Sequence, residues 1–87
     1  MIPIKYKLNV DLIARAAITL NWNLKTIKSS INLINIDNNN RMVNAKSLVG
    51  LLSGQFREGN QIEILVENKE DLIKVKSYFN EVGKEIN

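Results

Sequence analysis

The side chain best suited to chemistry in this 87-residue chain is Ser47, within the segment 43–53. The apolar run after Ser47 predicts a short helix that leaves a strand, with the serine hydroxyl at the N-cap position. A helix of about two turns cannot bury every apolar side chain of this segment. We therefore expect some of Leu48, Val49 and Leu52 to lie outward beside the Ser47 hydroxyl, on a surface that a partner protein would cover.

The composition excludes most catalytic and metal chemistry. The chain contains no cysteine and no histidine, which removes disulfides, thiol and imidazole chemistry and the usual zinc ligands. Aspartate and glutamate are present, but on faces that we expect to be solvated, where nothing desolvates a carboxyl group for acid–base catalysis. A chain of this length also buries too small a core to enclose a deep active site. We expect neither an enzyme nor a bound cofactor or metal.

Charge and hydropathy restrict the partners and the compartment. The net charge of +3 is modest, and the lysines and arginines are spread along the chain, which disfavours nucleic acid as the main partner. The aromatic pair and the Gly-x-x-Gly clamp that are typical of RNA-binding modules are both missing. No apolar run approaches the roughly 18 residues of a membrane span, and the N-terminus does not have the pattern of a signal peptide. We expect a cytoplasmic protein, away from membranes, whose partner is another protein.

Alternation and helical spacing predict one domain over residues 1–87. The predicted elements are, in order, a strand over residues 4–8, a helix over about 14–28, strands over 31–36 and 41–44, the short helix, a strand over 61–67 and a last helix that Asn68 caps. This βαββαβα order predicts an α+β open-faced sandwich, in which three helices cover one face of a four-stranded antiparallel sheet.

Three segments carry more detailed predictions. The alternation changes phase between Leu33 and Ile34, which predicts a bulge or a turn there. The asparagine-rich run over residues 37–40 tolerates positive φ angles and suits a hairpin. The last helix is predicted to extend to the C-terminus, because one helical stripe joins its apolar residues, Leu72, Val75, Phe79, Val82 and Ile86.

The first predicted helix has an unusual outward face. Its core stripe leaves four residues on the opposite side, namely Arg15, Ile18, Trp22 and Lys25. Two interpretations of this tryptophan remain open. It packs over a neighbouring loop, or it anchors a partner, since exposed Trp and Arg dominate binding energy at interfaces.

The second half of the chain resembles the second half of HPr. The resemblance lies in the segment from Val43 to Ser53, Val-Asn-Ala-Lys-Ser-Leu-Val-Gly-Leu-Leu-Ser, in the following Glu58-Gly59, and in the strand of Ile62 and Ile64. HPr is the histidine phosphocarrier of the bacterial sugar phosphotransferase system. The resemblance covers nearly the whole chain and implies an HPr-like fold. It also implies that Ser47 stands at the family's regulatory serine, which an ATP-dependent kinase phosphorylates in many Gram-positive bacteria.

The other family motif, usually Gly-Ile-His-Ala-Arg-Pro-Ala, reads here Asp11-Leu12-Ile13-Ala14-Arg15-Ala16-Ala17. By this resemblance Arg15 matches the phosphate-supporting arginine, and Ile13 replaces the phosphorylated histidine. An aliphatic side chain offers no nucleophilic nitrogen to a phosphoryl group. Asp11 and Ala16 also replace the glycine and the proline, and the Asp11 carboxylate would repel an incoming phosphate. The chain is therefore expected not to be a phosphocarrier.

Two functions remain. The first is a regulatory relative of HPr, like the Crh subgroup, which lacks the histidine but keeps the serine. It would bind a transcription regulator, a phosphotransferase component or HPr kinase under control of Ser47 phosphorylation. The second is a constitutive interaction or assembly module, including a homo-oligomer, in which Ser47 is only a helix cap. By resemblance both use the docking face of the first two helices, which consists of Arg15, Ile18, Trp22, Lys25, Leu48, Val49 and Leu52.

Overall fold

The computed structural model describes residues 1–86. The strands over this range are β1 (Ile2–Leu8), β2 (Ile31–Asn35), β3 (Arg41–Asn44), β4 (Gln61–Val66) and β5 (Gly83–Ile86). The helices are α1 (Ala14–Leu24), α2 (Leu48–Ser53) and α3 (Leu72–Phe79), and a 3-10 turn over Lys69–Asp71 precedes α3.

The strands form one antiparallel sheet in the order β3-β2-β4-β1-β5, with β4 and β1 adjacent near its middle. Tyr6 of β1 lies opposite Ile62 of β4, and Leu33 of β2 lies opposite Ile64. Buried and exposed residues alternate along β1, because the helices cover one face of the sheet and leave the other open. The predicted α+β open-faced sandwich is confirmed.

The fifth strand is a correction to the predicted four. The last helix ends at Phe79, and the chain then turns so that Val82 enters the core and β5 pairs with β1. Val82 and Ile86 fit a helical stripe by spacing, but Gly83 disfavours a helix and allows a close backbone approach. A Cβ on Gly83 would lie 2.6 Å from the backbone oxygen of Lys7.

Strand β2 contains no bulge, so that prediction is wrong. Its pairing with β3 and with β4 is uninterrupted through Leu33 and Ile34. The inward positions are Ile31, Leu33 and Asn35, all buried, whereas Ile34 is half-buried on the other face. The apparent phase slip arose because the chain places a polar side chain, Asn35, at an inward position.

Two helix boundaries also differ from the prediction. Helix α1 ends at Leu24 rather than at residue 28, and single turns follow in which Ile27 remains buried. The side chain of Asn68 does not cap a helix, and the 3-10 turn separates it from α3. The hairpin prediction is confirmed, since Asn39 and Asn40 have φ angles of 57° and 53° in the turn between β2 and β3.

Helix α3 is fastened to the sheet by side chains. The Tyr6 hydroxyl donates to Asn80 Oδ1 at 2.7 Å and to the Lys76 carbonyl oxygen at 3.2 Å. The rings of Tyr6 and Phe79 lie 5.9 Å apart between centroids, and Lys76 Nζ lies 3.1 Å from Glu85 Oε2 of β5. Burial, with a smaller contribution from the negative charge of Glu85, raises the pKa of Tyr6 above its ordinary value.

Candidate protein-interaction site

Helices α1 and α2 pack against one another. On α1, the buried residues Ala17, Leu20 and Leu24 face the core. On α2, Leu51 is fully buried. Each helix buries a single stripe, so the rest of its apolar side chains face outward, as the sequence predicted.

The outward side chains are strongly exposed for apolar groups. The exposed fractions are 51% for Ile18, 75% for Trp22, 76% for Val49 and 45% for Leu52, so no neighbouring loop covers Trp22. Leu48 is half-buried. With the exposed cations Arg15 and Lys25, these residues form what we term the α1–α2 surface, which consists of Arg15, Ile18, Trp22, Lys25, Leu48, Val49 and Leu52.

Ser47 is the N-cap residue of α2. Its Oγ accepts a hydrogen bond from the Gly50 backbone N–H at 3.1 Å, and its own N–H donates to the Asn44 carbonyl oxygen at 3.0 Å. Gly50 allows this tight turn, because a Cβ there would lie 2.9 Å from that same Asn44 oxygen. Asn44 Oδ1 also accepts from the N–H of Lys46. The predicted cap is confirmed, and the half-buried hydroxyl lies directly before Leu48.

The start of α1 is built differently. Ile13 occupies the N-cap position, is exposed, and makes no side-chain cap. Ala14 follows with a φ angle of 47°, a left-handed conformation that costs a residue other than glycine roughly 1–2 kcal/mol. The sequence gives no signal of this strain, because glycine, asparagine and aspartate are the residues that indicate a positive φ angle.

The loop before α1 is anchored by Asp11. Its Oδ1 accepts from the backbone N–H of Glu58 at 2.7 Å, and the N–H of Leu12 donates to the Phe56 carbonyl oxygen at 2.9 Å. Sequence reasoning considered only the repulsion between Asp11 and a phosphate. The structure adds a role for this carboxylate in joining the loop to the segment before β4.

The C-terminal end of α2 is held by Asn35 of β2. Its Nδ2 donates to the carbonyl oxygens of Gly54 and Gln55, both at 3.2 Å, and to Asn60 Oδ1 at 3.3 Å. A buried amide that serves two backbone carbonyls is costly to replace, because an apolar side chain would leave them unpaired. Sequence reasoning missed this residue, and the phase slip in β2 was the signal that could have found it.

The chemistry available at this surface is limited. Within residues 1–86, no three acidic side chains are grouped so that they could hold a metal ion. In the same part of the chain, no helix is long and apolar enough to cross a bilayer. The surface combines apolar contact area, two flanking cations and one hydroxyl.

Comparisons with known proteins agree with this fold. A family model described as "PTS HPr component phosphorylation site" matches residues 3–77. A search of curated proteins gave no match.

Solved structures are similar as well, among them the following three. HPr-C-His from Thermoanaerobacter tengcongensis shares 25% identity at a TM-score of 0.74, covering 93% of this chain and 88% of its own. The phosphocarrier protein HPr from Bacillus anthracis shares 20% identity at a TM-score of 0.81, covering 93% and 95%. A histidine-containing phosphocarrier protein from Mycoplasma shares 19% identity at a TM-score of 0.72, covering 92% and 91%. At these last two identities the likeness concerns the fold.

Proposed function

The chain belongs to the HPr family, and on this premise we propose that it is a non-catalytic member that acts in the cytoplasm by binding another protein through the α1–α2 surface. The observation that carries the proposal is the exposure of Ile18, Trp22, Val49 and Leu52 on two adjacent helices. Exposed apolar side chains beside an arginine, with a tryptophan among them, are typical of protein interfaces.

The chemistry of a histidine phosphocarrier is missing from the sequence, which contains no histidine. Ile13, at the position of the family histidine, presents an aliphatic side chain at the head of α1. Such a side chain adds to an apolar contact area and transfers no phosphoryl group. Without phosphoryl transfer, the family resemblance still implies contacts with other proteins. The partner would be a transcription regulator, a phosphotransferase component or HPr kinase.

Regulation at Ser47 is the finer part of the proposal. A phosphate on Ser47 Oγ would lie beside the Gly50 N–H, which now donates a hydrogen bond to this oxygen. The cation of Lys46, the preceding residue, would also be near the phosphate. The phosphate would place a double negative charge directly before Leu48 and Val49. We expect such a phosphate to change what docks on these two residues and to leave the fold intact.

A constitutive module is the second candidate, and one observation favours it. The Ser47 hydroxyl already accepts the Gly50 N–H, so a role as a helix cap accounts for the serine without any modification. In this case the α1–α2 surface binds permanently to another protein or to a second copy of the chain.

The first experiment separates these two candidates. The protein and its Ser47→Ala variant are incubated with ATP and an HPr kinase, and intact mass is measured. A gain of one phosphate that is lost in the variant supports the serine switch. No gain in either protein refutes the switch with this kinase and leaves the constitutive module.

A second experiment tests the surface itself. Proteins captured by the wild type are compared with those captured by Trp22→Ala and by Ile73→Ala. Ile73 is the matched control, because it is 84% exposed on α3 outside the surface. A partner retained by Ile73→Ala but lost by Trp22→Ala supports the proposal. Equal capture by all three proteins, together with a monomeric wild type in sedimentation, contradicts it.

A further inference from the structure

A cleft of about 280 Å³ lies between α1 and the turn that follows α3. It opens on a different face of α1 from Ile18 and Trp22, which do not line it. Its apolar lining includes Val10, Leu20 and Val82, of which Leu20 and Val82 also belong to the buried core. The cleft therefore offers an apolar floor of its own, separate from the outward part of the α1–α2 surface.

The polar groups of the cleft carry opposite charges on its two walls. Arg15 lies on the α1 wall, while Glu81 and Tyr78 lie on the α3 wall. Residues 1–86 contain one ion pair, between Lys76 and Glu85. Within this range, Arg15 and Glu81 therefore have no ionic partner. Both residues line the cleft and are exposed, so their guanidinium and carboxylate groups are available to a ligand that carries both complementary charges.

From this arrangement we infer that the cleft binds a small zwitterion with an aliphatic side chain, in other words an apolar α-amino acid. The guanidinium of Arg15 takes the ligand carboxylate, a pairing that its planar fork favours. The carboxylate of Glu81 takes the ligand ammonium group, and the aliphatic side chain lies on Val10, Leu20 and Val82.

The size of the cleft agrees with this ligand class. Pockets for drug-sized molecules measure roughly 300–1,000 Å³, so this cleft suits a smaller molecule. One cation on the rim also suits a single carboxylate better than a nucleotide, whose phosphates carry several charges. This inference does not rest on the proposed function. The cleft shares Arg15 with the α1–α2 surface, but Glu81 and the floor residues lie outside that surface.

The test is an NMR titration of the full chain, labelled with nitrogen-15, with three probes of similar shape. L-leucine carries both charges, 4-methylpentanoate lacks the ammonium group, and 3-methylbutylamine lacks the carboxylate. We expect L-leucine to cause saturable amide shifts at Val10, Leu20 and Val82. Loss of either charge should weaken binding by about tenfold, the usual effect of losing one charged contact.

Two variants assign the contacts. Glu81→Gln should weaken the binding of L-leucine by about tenfold and leave the binding of 4-methylpentanoate unchanged, because only the ammonium contact is lost. Glu70→Gln, exposed in the 3-10 turn away from the cleft, is the matched control and should bind L-leucine like the wild type. Equal binding of all three probes, an unchanged affinity in Glu81→Gln, or no saturable shift with L-leucine would overturn the inference. Trp22→Ala, which tests the docking surface, should not alter this titration.

Discussion

Helix α3 and the pair α1–α2 cover the same sheet but are held to it in different ways. Helix α3 is tied by the Tyr6 hydroxyl, by the contact between the rings of Tyr6 and Phe79, and by the ion pair of Lys76 with Glu85. Its start is tied too, since the Ser29 hydroxyl donates to Asp71 Oδ2 at 2.6 Å.

The pair α1–α2 has fewer such ties and more exposed apolar area. Helix α1 begins without a side-chain cap, and the amide Nδ2 of the buried Asn21 has no hydrogen-bond partner among residues 1–86. Helix α2 is tied at its start by Ser47 and beyond its end by Asn35. We therefore propose a division of roles, in which the α3 side stabilises the fold and the α1–α2 side is left free for the proposed binding.

The sharpest test of this division exchanges one aromatic residue on each side for alanine. Phe79→Ala should lower the free energy of unfolding by about 3–5 kcal/mol, because Phe79 is fully buried. Trp22→Ala should change it by less than about 0.5 kcal/mol, because an exposed side chain loses little packing. Urea denaturation measures both values. A large loss in Trp22→Ala would mean that this tryptophan packs on the fold, and the comparison would fail.

The next effect concerns the Tyr6 hydroxyl. Tyr6→Phe removes its bonds to Asn80 and Lys76 and should lower the free energy of unfolding at neutral pH by about 1–2 kcal/mol. Tyr6→Phe adds no charge and keeps the ring contact with Phe79, so the decrease in the free energy of unfolding measures the contribution of the hydroxyl alone. No loss would show that these bonds do not fasten α3.

The same hydroxyl makes the α3 side sensitive to alkaline pH. The pKa of Tyr6 is raised in the folded protein from its ordinary value of 10.0, so the folded state holds this proton more tightly than the unfolded state. This part of the stability is present below pH 10 and is lost as the pH rises through the folded pKa. Urea titrations between pH 8 and pH 11 should show a steeper decline for the wild type than for Tyr6→Phe, and parallel curves would contradict the assignment.

On the other side, Ser47→Ala tests the cap of α2. We expect a loss of about 1 kcal/mol in the free energy of unfolding, the usual cost of removing a serine N-cap. Ser47→Asp should retain most of this stability, because a carboxylate oxygen also accepts an N-terminal N–H. Equal stability of Ser47→Ala and the wild type would show that α2 is held by its packing and by Asn35 alone.

The smallest effect should appear at the start of α1. Ala14→Gly should raise the free energy of unfolding by about 0.5–1 kcal/mol, because glycine adopts the left-handed φ angle without strain. Ala16→Gly, two residues further along the helix and without a positive φ angle, is the control and should lower it by about 1 kcal/mol. Thermal or urea unfolding distinguishes the two signs, and a loss in both variants would refute the strain.

Much of the fold could be predicted because its signals are local. Alternation located β1 and β4, the serine located the start of α2, and helical spacing placed Ile18 and Trp22 outside the core. The asparagine run located the hairpin. Each of these signals acts within one element or one turn, where a single sequence carries the relevant physics.

The rest could not be predicted because it depends on contacts between distant segments. Strand β5 exists only through its pairing with β1, and the spacing of Val82 and Ile86 also fits the apolar stripe of a helix. The inward Asn35 is stable only because the carbonyls of Gly54 and Gln55 meet it, and Asp11 anchors its loop only where Glu58 comes close. The cleft of Arg15 and Glu81 likewise joins segments that lie far apart in the sequence.

The pairing of the fifth strand depends on residue 83 being glycine, which carries a hydrogen atom in place of a side chain. Any side chain there would collide with the Lys7 backbone oxygen, so β5 and β1 would have to shift apart at this position. The backbone donors and acceptors of β1 that β5 now occupies would then line an uncovered sheet edge, available to the same strand of another molecule. A single methyl group at this position would thereby convert a contact within one chain into a route to strand exchange and aggregation.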